Sequence, residues 1–212
     1  MSVKPIFFAL DGKELNEFRE ELEKLKGVIY GVKVGLEMFT AEGPSSVEKL
    51  KNDGWKVFLD LKLHDIPNTV QAATVSAANI GADYLTIHIA SGKEALLAAN
   101  ENKTEDIKLL GVSSVLTSKA YDEETSRAVE RDFLVAKESG IDGVICPASE
   151  IEATKKIFDL IVTPGIRLES DSEDDQRNIT TPEKAIEFGA KYIVMGRSIK
   201  NNLDYVVERL EF

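Results

Sequence analysis

Eight short apolar runs punctuate the chain: residues 5–11 (PIFFALD), 29–35 (IYGVKVG), 56–61 (KVFLDL), 84–89 (YLTIHI), 107–115 (IKLLGVSSV), 143–148 (GVICPA), 160–166 (LIVTPGI) and 192–197 (YIVMGR). Each is apolar along most of its length rather than alternating, the pattern of a parallel strand covered on both faces. Between them the apolar spacing changes to three and four. Leu15, Phe18, Leu22 and Leu25 make one helix face in residues 12–26. Residues 70–79 are small and apolar, and residues 123–139 carry Ala128, Val129, Phe133, Val135 and Ala136. Thr181, Pro182 and Glu183 read as a cap, a proline at the first helical position and an acid in the first turn. Gly27, Gly81, Gly140 and Gly189 each follow a helical stretch, where a C-terminal cap belongs. Strands alternating with helices, with no linker, repeat or low-complexity tract, predict an α/β fold: a single (β/α)8 barrel spanning residues 1–212. A doubly wound open sheet is the alternative. The strand count, and the lack of G-x-G-x-x-G after the first strand, favour the barrel.

Several charges interrupt these apolar runs, and they fall near the C-terminal strand ends, where barrels keep their chemistry. Asp11 ends the first strand, Lys33 lies late in the second, Asp60 and Lys62 end the third, and Asp65 follows. Alternation along a strand places Asp60 and Lys62 on one side. The second strand neighbours the third, so Lys33 stands beside Asp60. The expected result is a row of alternating sign: Lys33, Asp60, Lys62, Asp65. Each charge in a partly dry mouth then has an opposite neighbour that offsets its desolvation. An ion-pair network that only closes the barrel is the plainer alternative.

The seventh and eighth strands end TPGIR (163–167) and MGRSI (195–199). Loops after these strands often bind phosphate in such barrels. Gly165 and Gly196 let backbone N–H groups approach an anion, and Arg197 offers a planar cationic fork. Residues 167–181 (RLESDSEDDQRNITT) are nearly devoid of apolar side chains, as in a lid. Glu169, Asp171, Glu173, Asp174 and Asp175 read there as solvated surface, and neutral Gln176 as a group that reaches a bound phosphate. His64 and His88 are too few for a histidine metal site, and His88 reads as a satisfied barrel histidine or a group that supports the site residues rather than a catalyst.

Composition narrows the partners. The chain has 212 residues, 26 basic and 37 acidic, for a net charge of −11. Nucleic acid and anionic membranes want a cationic surface, so neither is expected as a partner. A small anionic substrate is compatible, because a few local cations dominate a pocket. Cys146 is the only cysteine and sits in an apolar run, as a small hydrophobe would. Residues 1–12 hold only a short apolar run, neither a signal peptide nor a membrane span, so a cytoplasmic protein is expected.

Taken together, FALD (8–11), KVG (33–35), DLKLHDIPNT (60–69), VLTS (115–118), TPGIR (163–167), DDQ (174–176) and MGR (195–197) resemble the orotidine 5′-monophosphate decarboxylase family in its compact form. The resemblance runs nearly the full length. It implies decarboxylation of orotidine 5′-monophosphate to UMP, the last step of UMP biosynthesis, with no metal and no cofactor. It implies that Lys62 donates a proton to C6, that Asp60 faces the substrate carboxylate, and that Lys33 bridges sugar and charge row. Asp11 would contact the ribose, and Thr117 or Ser118 the pyrimidine. Gln176, Gly196 and Arg197 would grip the phosphate, with Pro164, Gly165 and Arg167 lining the site beside it. It further implies a homodimer whose active sites are shared, Asp65 being supplied across the interface with Ile66 and Thr69 at the same boundary. Hexulose-phosphate synthases and ketogulonate-phosphate decarboxylases are similar barrels, but use Mg²⁺ and carry an acid where this chain has Lys33. A phosphate-sensing barrel without turnover is the non-enzymatic alternative.

Overall fold

The computed structural model describes residues 3–115, 122–169, 171 and 180–212. Eight parallel strands close into a barrel in sequence order: β1 (Lys4–Leu10), β2 (Ile29–Gly35), β3 (Lys56–Leu63), β4 (Tyr84–His88), β5 (Lys108–Val112), β6 (Gly143–Ile145), β7 (Ile161–Thr163) and β8 (Tyr192–Met195). β8 pairs back onto β1 through Ile6–Ile193, Phe7–Val194 and Phe8–Met195. The fold is the (β/α)8 barrel, and the open sheet is excluded by that closing pair.

The helices lie between the strands: α1 (Arg19–Leu25), α2 (Leu36–Glu42), α3 (Pro44–Asn52), α4 (Pro67–Asn79), α5 (Lys93–Asn102), α6 (Glu123–Glu138), α7 (Ile151–Thr154), α8 (Pro182–Phe188), α9 (Arg197–Asn201) and α10 (Leu203–Glu208). The first helical stretch is not one α-helix. Leu15–Phe18 form a 3₁₀ turn, and the α-helix begins only at Arg19. The helix expected from residue 70 starts earlier, with Pro67 in its first turn. Thr181 does cap α8, accepting from the Lys184 backbone N–H. Gly27, Gly81, Gly140 and Gly189 all take positive φ, the conformation a helix needs in order to stop.

The core has two layers. One lies between strands and helices and includes Ile6, Phe8, Leu10, Val32, Leu59 and Leu85. The other fills the barrel itself, with Phe7, Ala9, Phe58, Tyr84, Leu110, Val112, Ile145, Val162 and Val194. At the lower end of that interior, Phe7 packs edge-on against Tyr30, Phe58, Tyr84 and Tyr192. Tyr30 stacks on Tyr192, and the Tyr30 and Tyr84 hydroxyls share a hydrogen bond of 2.8 Å. Cys146 is fully buried.

Two carboxylates repeat one device at the N-terminal strand ends. Asp83, just before β4, accepts from the Val57 N–H at 2.8 Å and pairs with Lys51 at 2.6 Å and Lys56 at 2.8 Å. Asp142, just before β6, accepts from the Leu109 N–H at 2.8 Å and pairs with Lys103 and Lys108. Each ties the start of one strand to the start of the next, with its oxygens fully engaged. These two acids and their lysines are thereby committed to structure, while chemistry in such barrels belongs at the opposite face.

Candidate active site

The inward alternation of the barrel strands changes character as it rises. On β1 it reads Phe7, Ala9, then Asp11; on β4 it reads Tyr84, Thr86, then His88. Aromatic rings at the bottom thus give way to polar groups at the C-terminal mouth.

Lys33 on β2 stands between two acids. Its Nζ is 3.4 Å from Asp11 Oδ1 and 3.6 Å from Asp60 Oδ2. Lys62 Nζ donates to the other Asp60 oxygen, Oδ1, at 2.7 Å. The chain therefore brings Asp11, Lys33, Asp60 and Lys62 into one row of alternating sign. The side chains of Lys33 and Asp60 are each only 12% exposed, so their charges act through little intervening water. Burial is the largest single influence on Asp60 and by itself would raise its pKa. The Lys33 and Lys62 charges, with hydrogen bonds from Lys62 and Thr86, outweigh it, and the carboxyl is held below its ordinary value.

Simple alternation does not produce this row. The β3–β4 register runs from Leu59–Leu85 to Leu63–Ile87 with an irregularity between. Three residues of β3, Asp60, Leu61 and Lys62, thus stand opposite Thr86 alone. Lys62 takes up the excess with φ of +50°, the one non-glycine positive φ among the described residues. That conformation costs of order 1–3 kcal/mol for a residue with a Cβ. The bulge, and not the two-residue period, aims the lysine at Asp60.

Asp65 lies outside the row. Its carboxylate accepts from the Ile66 N–H at 2.7 Å, and it has no ion-pair partner among the described residues. Residues 64–69, Ile66 and Thr69 included, are all exposed in the single chain, with Ile66 at 65%.

At the other side of the mouth, Gly196 stands beside Asp11. A Cβ there would meet Asp11 Oδ2 at 3.2 Å and the Ala9 Cβ at 3.5 Å, so a side chain would crowd the acid. Arg197 opens α9, is exposed, and has no ion-pair partner among the described residues. Pro164 and Gly165 are partly buried where the chain leaves β7, and Gly165 has φ of +75°. Ile166 bridges to Thr180, and the Arg167 N–H donates to the Thr180 carbonyl at 3.3 Å, which joins the two ends of the 167–181 segment. Thr117, Ser118 and Gln176 lie outside the described residues.

Two expectations need correction. Asp171 is not solvated surface. It accepts from Ser198 Oγ, from Asn202 Nδ2 at 2.9 Å and from the Leu168 N–H at 3.0 Å, and so ties the 167–181 segment to the helix that begins with Arg197. His88 is not a fully satisfied histidine: among the described residues its Nδ1 is buried without a hydrogen-bond partner, and its ring lies 5.4 Å from that of His64. Burial, then the His64 and Lys62 charges, lower its pKa.

Three residues that the sequence reading passed over support the mouth. Thr86 contacts both Asp60 and Lys62. The shared parity of Tyr84, Thr86 and His88 was the available signal. Asp132 on α6 accepts from Ser113 Oγ at 2.7 Å and from the Ser114 N–H at 3.1 Å, pinning the chain as it leaves β5. Ser198 is hidden inside the MGRSI motif, where only its neighbour arginine drew notice.

A family model described as "Orotidine 5'-phosphate decarboxylase / HUMPS family" matches residues 4–209. A Listeria monocytogenes protein named orotidine 5'-phosphate decarboxylase is 40% identical over 220 residues, covering 96% of this chain and 94% of its own. A Carboxydothermus hydrogenoformans protein of the same name is 42% identical over 212 residues, covering 92% and 88%. Among solved structures, orotidine 5'-phosphate decarboxylase from Lactobacillus acidophilus superposes with a TM-score of 0.78 at 32% identity, covering 97% and 96% of the two chains. The match spans all eight strands, and on it the chain belongs to the orotidine 5'-phosphate decarboxylase / HUMPS family.

Proposed function

We propose that this chain removes CO2 from C6 of orotidine 5′-monophosphate to give UMP, with the Lys33–Asp60–Lys62 row as its fixed charge and with no metal or organic cofactor. Family membership and close relatives make it a decarboxylase of pyrimidine biosynthesis. The charge row is the finer reading. The observation that carries it is Lys62 Nζ at 2.7 Å from Asp60, with Lys33 on the other carboxylate oxygen, at the C-terminal barrel mouth.

When CO2 leaves C6, the bond's electron pair stays in the ring plane, where no carbonyl delocalises it simply. A cation fixed nearby lowers that barrier, and an ammonium can then deliver its proton to C6. Lys62 takes both tasks, and is left as an amine that water reprotonates. Only the part of its attraction that is stronger to the carbanion than to the substrate accelerates the step. Asp60 keeps Lys62 charged and aimed, and faces the leaving carboxylate. Lys33 balances Asp60 and reaches towards Asp11, which contacts the ribose in this reading. Thr117 or Ser118 contacts the pyrimidine.

Arg197, Gln176 and Gly196 hold the phosphate, beside Pro164, Gly165 and Arg167. An exposed guanidinium without an ion-pair partner among the described residues supports this. Asp65, Ile66 and Thr69 serve a second copy's site in a homodimer. Their exposure in the single chain, with Leu36 also exposed nearby in sequence to the row, supports that arrangement. Among the described residues no helix is long and apolar enough to cross a membrane, and we place the enzyme in the cytoplasm.

The metal-dependent relatives offer a different chemistry at the same place. Here the Lys33 ammonium sits between the Asp11 and Asp60 carboxylates, where a divalent cation would otherwise find its oxygen ligands. The deciding assay follows the ultraviolet absorbance of orotidine 5′-monophosphate with and without a chelator. Loss of the substrate spectrum at equal rates in both supports the proposal. No turnover, or turnover that requires Mg²⁺, refutes it.

A further inference from the structure

Thr86 is fully buried on β4, opposite the β3 bulge. Its hydroxyl makes two hydrogen bonds at once: it accepts from the Lys62 backbone N–H at 2.9 Å and donates to Asp60 Oδ1 at 2.9 Å. The bulge takes Lys62 off the β ladder, and a buried N–H without a ladder carbonyl needs another acceptor. A hydroxyl is the smallest group that can accept there and donate onward. The circuit closes when Lys62 Nζ returns to the same Asp60 oxygen.

We infer that Thr86 is a positioning residue for the reaction proposed above: it holds Lys62 in its positive-φ conformation and locks the lysine backbone to the carboxylate that its ammonium grips. Thr86 touches no reacting atom. Its effect is to fix where the ammonium stands when C6 becomes basic, and tenths of an ångström matter to such charge stabilisation. A threonine kept only for β-branched packing would be replaced without loss by valine, which has the same shape. The hydroxyl is the part that the inference requires.

The test compares Thr86→Val with Thr86→Ser in the full chain. Thr86→Val should lower kcat on orotidine 5′-monophosphate at least about tenfold, while UMP affinity stays within about twofold. Thr86→Ser, which keeps the hydroxyl, should restore kcat to within about threefold of wild type. If Thr86→Val does not fold, Thr86→Cys, with a poor donor and acceptor of similar size, takes its place. A second readout needs no turnover: the Lys62 amide should exchange with solvent at least about tenfold faster in the Val or Cys variant, and at the wild-type rate in Thr86→Ser. Unchanged kcat and unchanged Lys62 exchange in the hydroxyl-free variant overturn the inference. So does a loss of kcat accompanied by an equal loss of UMP affinity that serine does not rescue, since that is a packing defect. A wild-type chain with no turnover, but with Lys62 exchange that follows the hydroxyl, refutes the proposed reaction and leaves the positioning intact.

Discussion

Lys62 reaches Asp60 at 2.7 Å from a backbone that has left the β ladder, so the shortest contact of the charge row is built on its most strained residue. The ammonium is held by a carboxylate on one side and by a fixed main chain on the other. Neither contact supports core packing. Lys62→Ala is therefore expected to fold and to bind UMP, while turnover falls by many orders of magnitude, because charge stabilisation and the proton source go together. Retention of more than about a hundredth of wild-type turnover, the scale of one auxiliary acid–base contact, would contradict the role. Steady-state kinetics with a UMP titration of the same preparation decides it.

Asp60 makes a pH prediction. Its pKa is held below the ordinary value, so folding favours its ionised form. A depressed carboxylate contributes stability that is fully present above its unfolded pKa, about 4, and is lost as pH falls through the lower native value. The stability difference between wild type and Asp60→Asn, from urea unfolding, should thus be constant from pH 7 to about 5 and shrink below about 4. A difference that grows on acidification would mean that the native pKa is raised.

Arg197→Ala should weaken substrate binding and slow the chemical step, by a combined ~2–5 kcal/mol if a desolvated charge pair to phosphate is lost. A substrate without the phosphate should lose much less. Equal losses on both substrates would assign Arg197 to structure. The Asp171–Ser198 contact makes the same helix the anchor of the 167–181 segment, so the comparison belongs beside a melting curve.

Asp65 predicts complementation. Lys62→Ala and Asp65→Asn homodimers should each be nearly inactive. In a mixed dimer one site receives both lesions and the other receives neither. Random exchange makes half the dimers mixed, so refolding equal amounts together should restore roughly a quarter of wild-type activity, as a two-fold interface requires. Demonstrated heterodimers without recovery would place Asp65 in its own chain's site.

The eight strands and their order were legible because buried parallel strands leave continuous apolar runs, and helix ends leave glycines whose positive φ the structure retains. The members of the mouth were legible for the complementary reason: Lys33, Asp60 and Lys62 are charges within strands where burial opposes charge, and Asp11 directly follows an apolar strand. What joins them was not. A bulge carries no composition signal, so the two-residue period placed Lys62 on the right side for the wrong reason. Thr86 and Ser198 look like ordinary strand and helix residues until their hydroxyls are seen bridging acids. Asp171 was hidden by its neighbours, since an anchored acid in an acidic run has the same letters as a solvated one.

The ring layer of Phe7, Tyr30, Phe58, Tyr84 and Tyr192 stoppers the lower end of the barrel. A vessel corked at its base has one doorway. On the proposed reaction, nucleotide enters and both products depart past the same rim. Carbon dioxide, small and uncharged, can slip out beside a seated nucleotide, whereas the nucleotide cannot leave without letting go of its anchoring phosphate. On that reading the plumbing sets the order of departure: gas first, UMP last.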